Sequence, residues 1–465
     1  MSKYLYGASV QGIQDFIFKT NKLKEIIGAS EVIKSIDEID FKKEYKLKEE
    51  PEILFQAAGN IRLVFQSKED LENIVKNFPK DIMLRAYGIT ISQAVVELND
   101  YKKDSKELEK KLKIQRNKVS LPLSNYSNIL KQNPRTGLPL VDSKNDKANL
   151  QKVEKFQEFA DDEKRKDRKT IFDIEKLSNI KNKIAIIHAD GNGLGNIVKD
   201  LDANEIVTFS KNLEKATKEA YEKASQGIEK IRKVILGGDD LTIICNANDA
   251  LTFTKKFLEA FEEKTKKIYK NYDLTACAGI TYCNEKYPFH YAVKLAEDLC
   301  KQAKKDSKDF AEKEKLDLAP SSLMFHNIQS SNVESFSKFI DDELTINKKE
   351  KIRCDFGAYY LKDYKNKPTI ENLLAVIKDF GKENSPKGRL REWLSDLNFD
   401  KTLADNQLDR INKVTKWKSE NLNKLYEGLS LLNLIVLKDK EQKTPIYDIL
   451  QILSVEDESE KKNEI

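Results

Sequence analysis

The 465-residue chain is poor in the residue types that build thiolate metal sites and disulfide frameworks. It contains five cysteines and three histidines, with no C-x-x-C pair and no histidine at ligand spacing from a cysteine. Zinc fingers and disulfide-rich folds need clustered thiols, so both classes are excluded. We expect buried thiols in a reducing compartment at Cys245, Cys277, Cys283, Cys300 and Cys354.

Long apolar runs and a large charge of one sign are also missing. No window reaches the length of a membrane span, and the N-terminus lacks the basic and apolar segments of a signal peptide. The 82 Lys+Arg against 77 Asp+Glu leave a net charge of +5, which is too small for a dedicated nucleic-acid coat protein. We therefore expect a cytoplasmic protein that does not contact membranes.

The strongest pattern begins at Lys183 and resembles a sheet edge that carries carboxylates. The apolar residues 184–189 predict a buried strand ending at Asp190, and glycine-rich residues 191–195 lead into helices. Apolar arms at 234–236 and 241–245 flank Gly237-Gly-Asp-Asp240 and predict a hairpin. With a helix near 248–270, a strand at 274–283, a helix at 291–305 and a strand at 322–328, the order is ferredoxin-like. This order brings Asp190 to the same edge as Asp239 and Asp240.

The first hundred residues repeat this order in a weaker form. A strand at 3–11, a helix at 15–36, a hairpin at 52–65 and a strand at 88–98 are predicted. In this alignment Gln11-Gly12 of the first repeat corresponds to Asp190-Gly191 of the second. Likewise, Ala57-Ala-Gly-Asn60 corresponds to Gly237-Gly-Asp-Asp240. This first repeat (residues 1–100) has the shape of the second repeat (residues 183–330) without its carboxylates.

Carboxylates on adjacent strand ends suit the joining of nucleotides. Two divalent ions about 3.5 to 4 Å apart can stabilise the attacking and the leaving oxygen of a phosphoryl transfer. Mg²⁺ prefers oxygen ligands and needs no histidine or cysteine. The predicted catalytic residues are Asp190, Asp239 and Asp240.

The glycines around these carboxylates predict nucleotide contacts. Glycines between a strand end and a helix start let backbone N–H groups approach a triphosphate, and glycines at the hairpin leave room for the incoming nucleotide. A lysine at the end of the helix before the last strand is a candidate for the phosphates, with Lys305 beside it. The predicted nucleotide-binding residues are Gly191, Asn192, Gly193, Gly195, Gly237, Gly238 and Lys304.

Simpler interpretations remain open for several of these residues. Gly237-Gly-Asp-Asp240 is also compatible with an ordinary hairpin turn in a degenerate domain. His188 lies on the same side of its strand as Asp190, and a structural histidine is the favoured interpretation. Lys304 and Lys305 fit a solvated helix face as well as a phosphate contact.

The same segments carry a resemblance to a known family. Asp190-Gly-Asn-Gly-Leu-Gly195 and Leu236-Gly-Gly-Asp-Asp-Leu241, followed by Ala278-Gly-Ile280 and Ala303-Lys304, resemble the second palm domain of the large polymerase/cyclase subunit of type III CRISPR effector complexes. They resemble diguanylate cyclases more distantly. Residues 9–17 resemble the inactive first palm of that subunit.

The resemblance implies a fold and a domain layout. It implies an α+β fold with two ferredoxin-like palm domains, the first degenerate and the second active, followed by a helical C-terminal domain. The predicted domains are a degenerate first palm at 1–100, a helical linker insertion at 101–182, a catalytic second palm at 183–330, a helical domain at 331–455 and a disordered tail at 456–465.

The resemblance also implies an activity. It implies ATP as substrate, Mg²⁺ or Mn²⁺ in a two-metal site, and cyclic or linear oligoadenylate messengers as products in antiviral defence, acting through a downstream effector. The implied metal ligands are Asp190, the Gly191 carbonyl, Asp239 and Asp240. The family's His-Asp nuclease domain and its cysteine zinc site have no counterpart in this sequence, so neither is expected.

Two other functions remain open. A non-catalytic scaffold subunit would bind nucleotides, RNA or other CRISPR-type subunits through the same fold. A cyclase with a mono- or dinucleotide product would use the same carboxylates.

Overall fold

The computed structural model describes residues 3–57, 59–118, 130–134, 136–165, 171–266, 268–269, 273–329, 336–346 and 350–457. Its described residues form three sheets, of four, six and four strands, covered by helices. The expected α+β class is confirmed. Within this described part, no helix is both long enough and apolar enough to cross a bilayer.

The first repeat forms an antiparallel four-stranded sheet with the strand order β2-β3-β1-β4. Its central strand β1 is buried, because helices cover both faces of the sheet. The strands are β1 (Lys3–Gln11), β2 (Glu52–Ala57), β3 (Asn60–Phe65) and β4 (Thr90–Leu98). The helices are α1 (Ile13–Phe18), α2 (Leu23–Asp37), α3 (Phe41–Tyr45) and α4 (Lys68–Arg85).

The predicted linker insertion contributes two helices that pack on the first repeat. Helix α5 (Tyr101–Arg116) places Leu108 and Leu112 against one face of the first sheet. Helix α6 (Lys147–Arg165) packs on α2 so closely that a Cβ at Gly28 would lie 1.8 Å from the Lys152 carbonyl oxygen. The predicted boundary at residue 100 stays a prediction.

The loop that precedes α6 is held by polar side chains. Asp146 is fully buried and accepts hydrogen bonds from Asn133 at 2.8 Å and from Thr136 at 2.5 Å. Asn149 accepts a hydrogen bond from the Asn133 side chain and donates one to Glu25 of α2. Side-chain amides and carboxylates therefore stabilise this loop.

The second repeat, together with β12 (Tyr359–Tyr360) of the C-terminal third, forms the central sheet in the order β12-β9-β8-β5-β7-β6. Strand β5 lies between β7 and β8 and is antiparallel to both. Its strands are β5 (Lys183–Gly191), β6 (Ile231–Gly237), β7 (Asp240–Asn246), β8 (Ala276–Asn284) and β9 (Ser322–Asn327). Its helices are α7 (Leu194–Asp200), α8 (Ala203–Ala224), α9 (Ala250–Thr265) and α10 (Phe289–Glu314). The expected ferredoxin-like order is confirmed.

The C-terminal third is mainly helical, as expected, but it also contains short strands that the sequence patterns missed. Strand β12 joins the central sheet by pairing with β9, and the other strands form a small sheet ordered β10-β11-β14-β13. The helices are α11 (Phe336–Asp342), α12 (Ile370–Gly381), α13 (Lys387–Phe399), α14 (Lys401–Val414), α15 (Leu422–Leu425) and α16 (Ile446–Val455). The strands are β10 (Thr345–Ile346), β11 (Ile352–Arg353), β12 (Tyr359–Tyr360), β13 (Val436–Lys438) and β14 (Glu441–Lys443).

The predicted disordered tail lies outside the described residues except for its first two positions. Glu456 and Asp457 are buried, and the Asp457 N–H donates to Asn248 Oδ1 at 2.7 Å. Asn179 donates to the Val455 carbonyl at 2.8 Å. The end of α16 is therefore attached to the second repeat.

The two repeats correspond differently from the expected alignment. Gly12 precedes α1 with φ 68°, and Gly193 precedes α7 with φ 70°. These two left-handed glycines are equivalent, so Gln11 corresponds to Asn192. The expected equivalence of Gln11 with Asp190 is wrong by two residues, because the strand patterns alone do not fix where each strand meets its helix.

Candidate active site

The sheet register brings the predicted carboxylates together. Ala189 pairs with Leu241, so Asp190 lies beside Asp240 at the point where β5 and β7 reach the same edge. Gly237 pairs with Asp240 across the tight β6–β7 hairpin, whose turn holds Gly238 and Asp239. The predicted catalytic residues therefore share one edge of the central sheet.

Glycines allow the backbone of this edge to pack tightly. A Cβ at Gly191 would lie 2.9 Å from Asp239 Oδ2 and 2.4 Å from a methyl carbon of Leu194. Gly238 has φ 61°, which residues with a side chain rarely adopt. Gly191 therefore provides the space that the Asp239 carboxylate occupies.

The electrostatics of the edge disfavour three ionised carboxylates. Burial, together with the neighbouring Asp190 carboxylate, raises the pKa of Asp239 to about 7. Burial together with the charges of Asp190 and Asp239 raises the pKa of Asp240 well above its usual range. Like charges in a poorly solvated place repel, so this edge favours a bound cation.

One carboxylate oxygen in the site has no hydrogen-bond partner. The Asp240 side chain is 32% exposed, but its Oδ1 atom is shielded from solvent and accepts no hydrogen bond. His188 Nδ1 lies 3.4 Å from this oxygen and instead contacts Thr242 Oγ1 at 3.1 Å. Burial lowers the pKa of His188 to about 4, so the imidazole is neutral near pH 7 and does not compensate the carboxylate. The structural interpretation of His188 agrees with this placement.

Lys304 of α10 reaches into the edge. Its Nζ forms an ion pair with Asp190 Oδ2 and donates to the Gly191 carbonyl oxygen at 2.7 Å. The sequence suggested a phosphate contact for this lysine, and the structure places its ammonium on two of the predicted metal ligands. The neighbouring candidate Lys305 is exposed on the helix.

The remaining predicted nucleotide ligands lie in the loop between β5 and α7. Gly193 and Gly195 are exposed at the start of α7. Asn192 is buried, its N–H donates to the Thr275 carbonyl at 2.8 Å, and its amide donates to Thr275 Oγ1 at 3.1 Å. Asn192 therefore stabilises the loop from inside, and this arrangement does not support its expected phosphate contact.

Two residues near the site were missed by the sequence patterns. Glu297 and Lys301 lie on α10 at helical spacing from Lys304. The negative charge of Glu297 contributes to the raised pKa of Asp240, and the positive charge of Lys301 contributes to the lowered pKa of His188. Burial raises the pKa of Glu297 to about 7. The spacing of seven and three residues before Lys304 could have indicated that all three share a helix face.

The donor set suits a hard divalent cation, although the side chains are not arranged around one. Among the described residues, no three His, Cys, Asp or Glu side chains form a group that could hold a metal ion. The Lys304 ammonium contacts Asp190 and the Gly191 carbonyl, which are two of the predicted metal ligands. The unpartnered Asp240 oxygen and the all-oxygen donor set still fit Mg²⁺ or Mn²⁺.

A cleft between the two repeats opens next to this edge. It has a volume of about 1090 Å³ and extends from Gly12 of the first repeat along β6 to Gly237 and Asp240. The repeats touch where Ser30 of α2 donates to the Val234 carbonyl, at an irregularity in the pairing of β6. The size and polar lining of the cleft suit a nucleotide.

Comparison with known families supports this assignment of the second repeat. Residues 183–312 match the family model described as Cas10/Cmr2, second palm domain. The chain is Cas10-like. The matched range spans both the Asp190 strand and the Lys304 helix. No curated protein matches the sequence.

Solved structures share the fold at low sequence identity. A chain of the Csm1-Csm4 cassette in complex with AMPPNP is 14% identical, with a TM-score of 0.56 over 98% of this chain and 69% of that chain. A cassette chain in complex with cA3 is 15% identical, with a TM-score of 0.56 over the same shares. The chain spans about half, 53%, of the matching chain in the apo cassette. These similarities establish the fold of the Cas10-like chain.

Proposed function

We propose that this Cas10-like chain is a metal-dependent nucleotidyltransferase that converts ATP into cyclic or linear oligoadenylates, second messengers of antiviral defence. The observation that carries the proposal is that Asp190, Asp239 and Asp240 share one sheet edge, where one Asp240 oxygen has no hydrogen-bond partner. Like-charged groups held together in a poorly solvated place repel one another, and a bound cation removes this repulsion.

Asp190, Asp239, Asp240 and the Gly191 carbonyl would hold Mg²⁺ or Mn²⁺. When bound, such ions stabilise the attacking ribose oxygen and the leaving pyrophosphate. The protein orients the nucleotide in the cleft beside Gly237 and Gly238, where missing side chains leave room for the substrate.

Other predicted nucleotide contacts depend on the backbone of the β5–α7 loop and on Lys304. Gly193 and Gly195 are exposed at a helix start, which favours phosphate. In this proposal Lys304 exchanges Asp190 for a phosphate group when the nucleotide binds. The solved cassettes were crystallised with AMPPNP and cA3, which supports ATP as substrate and oligoadenylate as product.

The partners of the chain are part of the proposal. The similar chains come from cassettes that pair Csm1 with Csm4, so we propose another CRISPR-type subunit as a protein partner. A downstream effector would read the product, and RNA is the third proposed partner. A cytoplasmic location remains a prediction.

A non-catalytic, nucleotide- or RNA-binding scaffold is the second candidate. It is favoured by the contact of Lys304 with Asp190 and Gly191 and by the absence of an arranged metal group among the described residues. In a scaffold this ion pair would be permanent.

Product analysis separates the two candidates. The purified chain is incubated with ATP, GTP, CTP or UTP and with Mg²⁺ or Mn²⁺, and the products are identified by mass spectrometry. We expect oligoadenylate from ATP and none from the Asp239→Ala/Asp240→Ala double variant. Full activity of the double variant would refute the catalytic assignment. Nucleotide binding without product, both alone and with the partner subunit, would favour the scaffold.

A further inference from the structure

The ammonium of Lys304 takes up two of the oxygens proposed to bind metal. Its Nζ contacts Asp190 Oδ2 and lies 2.7 Å from the Gly191 carbonyl oxygen. A divalent cation needs the lone pairs of the same oxygens, and two cations so close repel strongly. Lys304 and a metal ion therefore compete for the site.

The backbone of Lys304 is fixed while its side chain has room to move. Helix α10 lies directly on β8, where a Cβ at Gly279 would be 1.9 Å from the Ala296 carbonyl oxygen. Ala303, next to Lys304, is fully buried. The Lys304 side chain is 26% exposed, so it can turn toward solvent without displacing the helix.

Nearby cations do not share this position. Lys301, one turn earlier, is 69% exposed and pairs with Asp298 at 3.3 Å and with Glu297 at 3.8 Å. In the described part of the chain, no other lysine or arginine forms an ion pair with Asp190, Asp239 or Asp240. Lys304 alone therefore compensates the carboxylates directly, while Lys301 contributes only at longer range.

We propose that Lys304 is an internal counter-ion that keeps the metal site closed until a nucleotide arrives, an inference that rests on the proposed function. Lys304 must leave Asp190 and Gly191 when a divalent cation binds there. If the cation binds without nucleotide, Lys304 is left with no anionic partner. If a triphosphate is bound as well, its phosphates provide a new partner for Lys304. Metal and nucleotide binding are then positively coupled, and the coupling is reciprocal.

Mn²⁺ binding to the full chain tests this inference without measuring catalysis. Titrations followed by electron paramagnetic resonance compare wild type with Lys304→Met, at equal free Mn²⁺, with and without an ATP analogue bearing an α,β-methylene bridge. Without nucleotide we expect Lys304→Met to bind Mn²⁺ about tenfold more tightly, because the competing charge is gone. The analogue should strengthen Mn²⁺ binding by wild type and change the variant far less.

Lys301→Met is the matched control, since it removes the same charge from the same helix without removing a contact to Asp190. It should bind Mn²⁺ within about twofold of wild type. Lys304→Arg keeps the charge and should remain close to wild type, and thermal unfolding verifies that each variant is folded. Equal or weaker Mn²⁺ binding by folded Lys304→Met would overturn the counter-ion role.

Asp190→Asn distinguishes this failure from a failure of the proposed function. If Asp190→Asn binds Mn²⁺ as wild type does, with and without the analogue, the metal site itself is wrong. If Asp190→Asn loses binding while Lys304→Met equals wild type, only the role of Lys304 is wrong.

Discussion

The corresponding edges of the two repeats differ in how their polar groups are satisfied. In the first repeat, β3 begins at Asn60, which pairs with Ser9, and Ser9 Oγ donates to Asn60 Oδ1 at 2.8 Å. In the second repeat, β7 begins at Asp240, beside Asp190, and one Asp240 oxygen has no hydrogen-bond partner. The first edge is neutral and internally paired, and the second needs an external cation.

The same comparison explains the positions of two glycines. In the first repeat Val10 faces Gly59, and a Cβ at Gly59 would lie 2.9 Å from the Val10 Cβ. In the second repeat Gly191 faces Asp239, and a Cβ at Gly191 would lie 3.0 Å from the Asp239 Cβ. Only one side chain fits each position pair; the first repeat carries it on the strand, at Val10, and the second carries it in the hairpin turn, at Asp239.

This difference shows how one fold can support either structure or chemistry. Self-paired neutral groups such as Ser9 and Asn60 gain little from a ligand. Repelling carboxylates reduce stability in the absence of a cation and gain stability when one binds. A ligand-binding edge is therefore recognised by what it leaves unsatisfied.

The largest expected effect comes from converting the second edge into the first. Asp190→Ser with Asp240→Asn should reduce product formation by about a thousandfold or more, because two of the proposed metal ligands are lost. Stability at about pH 8 without metal should stay within about 1 kcal/mol of wild type or rise, since Asp240 then no longer ionises in a poorly solvated place. Mass spectrometry of products and urea unfolding measure the two effects.

Glu312→Gln on α10 is the matched control for charge removal, because its side chain is 69% exposed and, among the residues that the structure describes, forms an ion pair only with Lys308. It should keep both activity and stability. A double variant that retains activity, or that loses it only by unfolding, would remove the functional distinction between the two edges.

Local patterns were sufficient to predict the strands of both repeats and the edge that carries Asp190. Apolar alternation and paired glycines are encoded within a few residues, so β5 and the β6–β7 hairpin were predicted correctly. The short β12 was missed because two residues show no periodicity. It forms only because β9 offers an unpaired edge.

Contacts between distant elements explain the other differences. Asn192 turns inward because Thr275, far along the chain, offers a carbonyl and a hydroxyl. The partner of Lys304 could not be predicted because α10 and β5 meet only in the folded sheet. Glu297 was missed because a carboxylate on a lysine-rich helix resembles a solvated face in sequence.

The next effect tests whether Val10 is the reason for the glycine at position 59. Gly59→Asp should destabilise the chain by about 3 kcal/mol, because a Cβ there meets Ile13 and Val10 and the backbone is left-handed. Val10→Gly alone should destabilise it by about 1–2 kcal/mol, through lost packing and backbone entropy. The double variant should be destabilised by less than the sum of the two single variants. Urea unfolding of all four proteins in a double-mutant cycle measures this difference. Strict additivity would show that Val10 does not determine the glycine at 59.

The last effect, which appears only as a pH dependence, concerns a buried carboxylate that has hydrogen-bond partners. Asp448 of α16 accepts hydrogen bonds from the Tyr359 hydroxyl at 2.7 Å, the Phe356 N–H at 3.1 Å and Gln451 at 3.0 Å. Burial nevertheless raises its pKa to about 7. Between the unfolded pKa, about 4, and about pH 7, the folded state keeps a proton that the unfolded state has lost, so stability falls as pH rises.

Within that window, Asp448 should lower the free energy of unfolding by about 1.4 kcal/mol for each pH unit. Above about pH 7 this slope should vanish. Asp448→Asn should flatten the dependence in urea unfolding, while Asp363→Asn, an exposed carboxylate of the same segment, should leave it unchanged. Mn²⁺ should not alter the difference, because the partners of Asp448 are hydrogen-bond donors within the protein. If Asp448→Asn has the wild-type slope, the hydrogen-bond donors around Asp448 keep its carboxylate ionised. Burial would then raise a pKa only where hydrogen-bond partners are missing, as at Asp240.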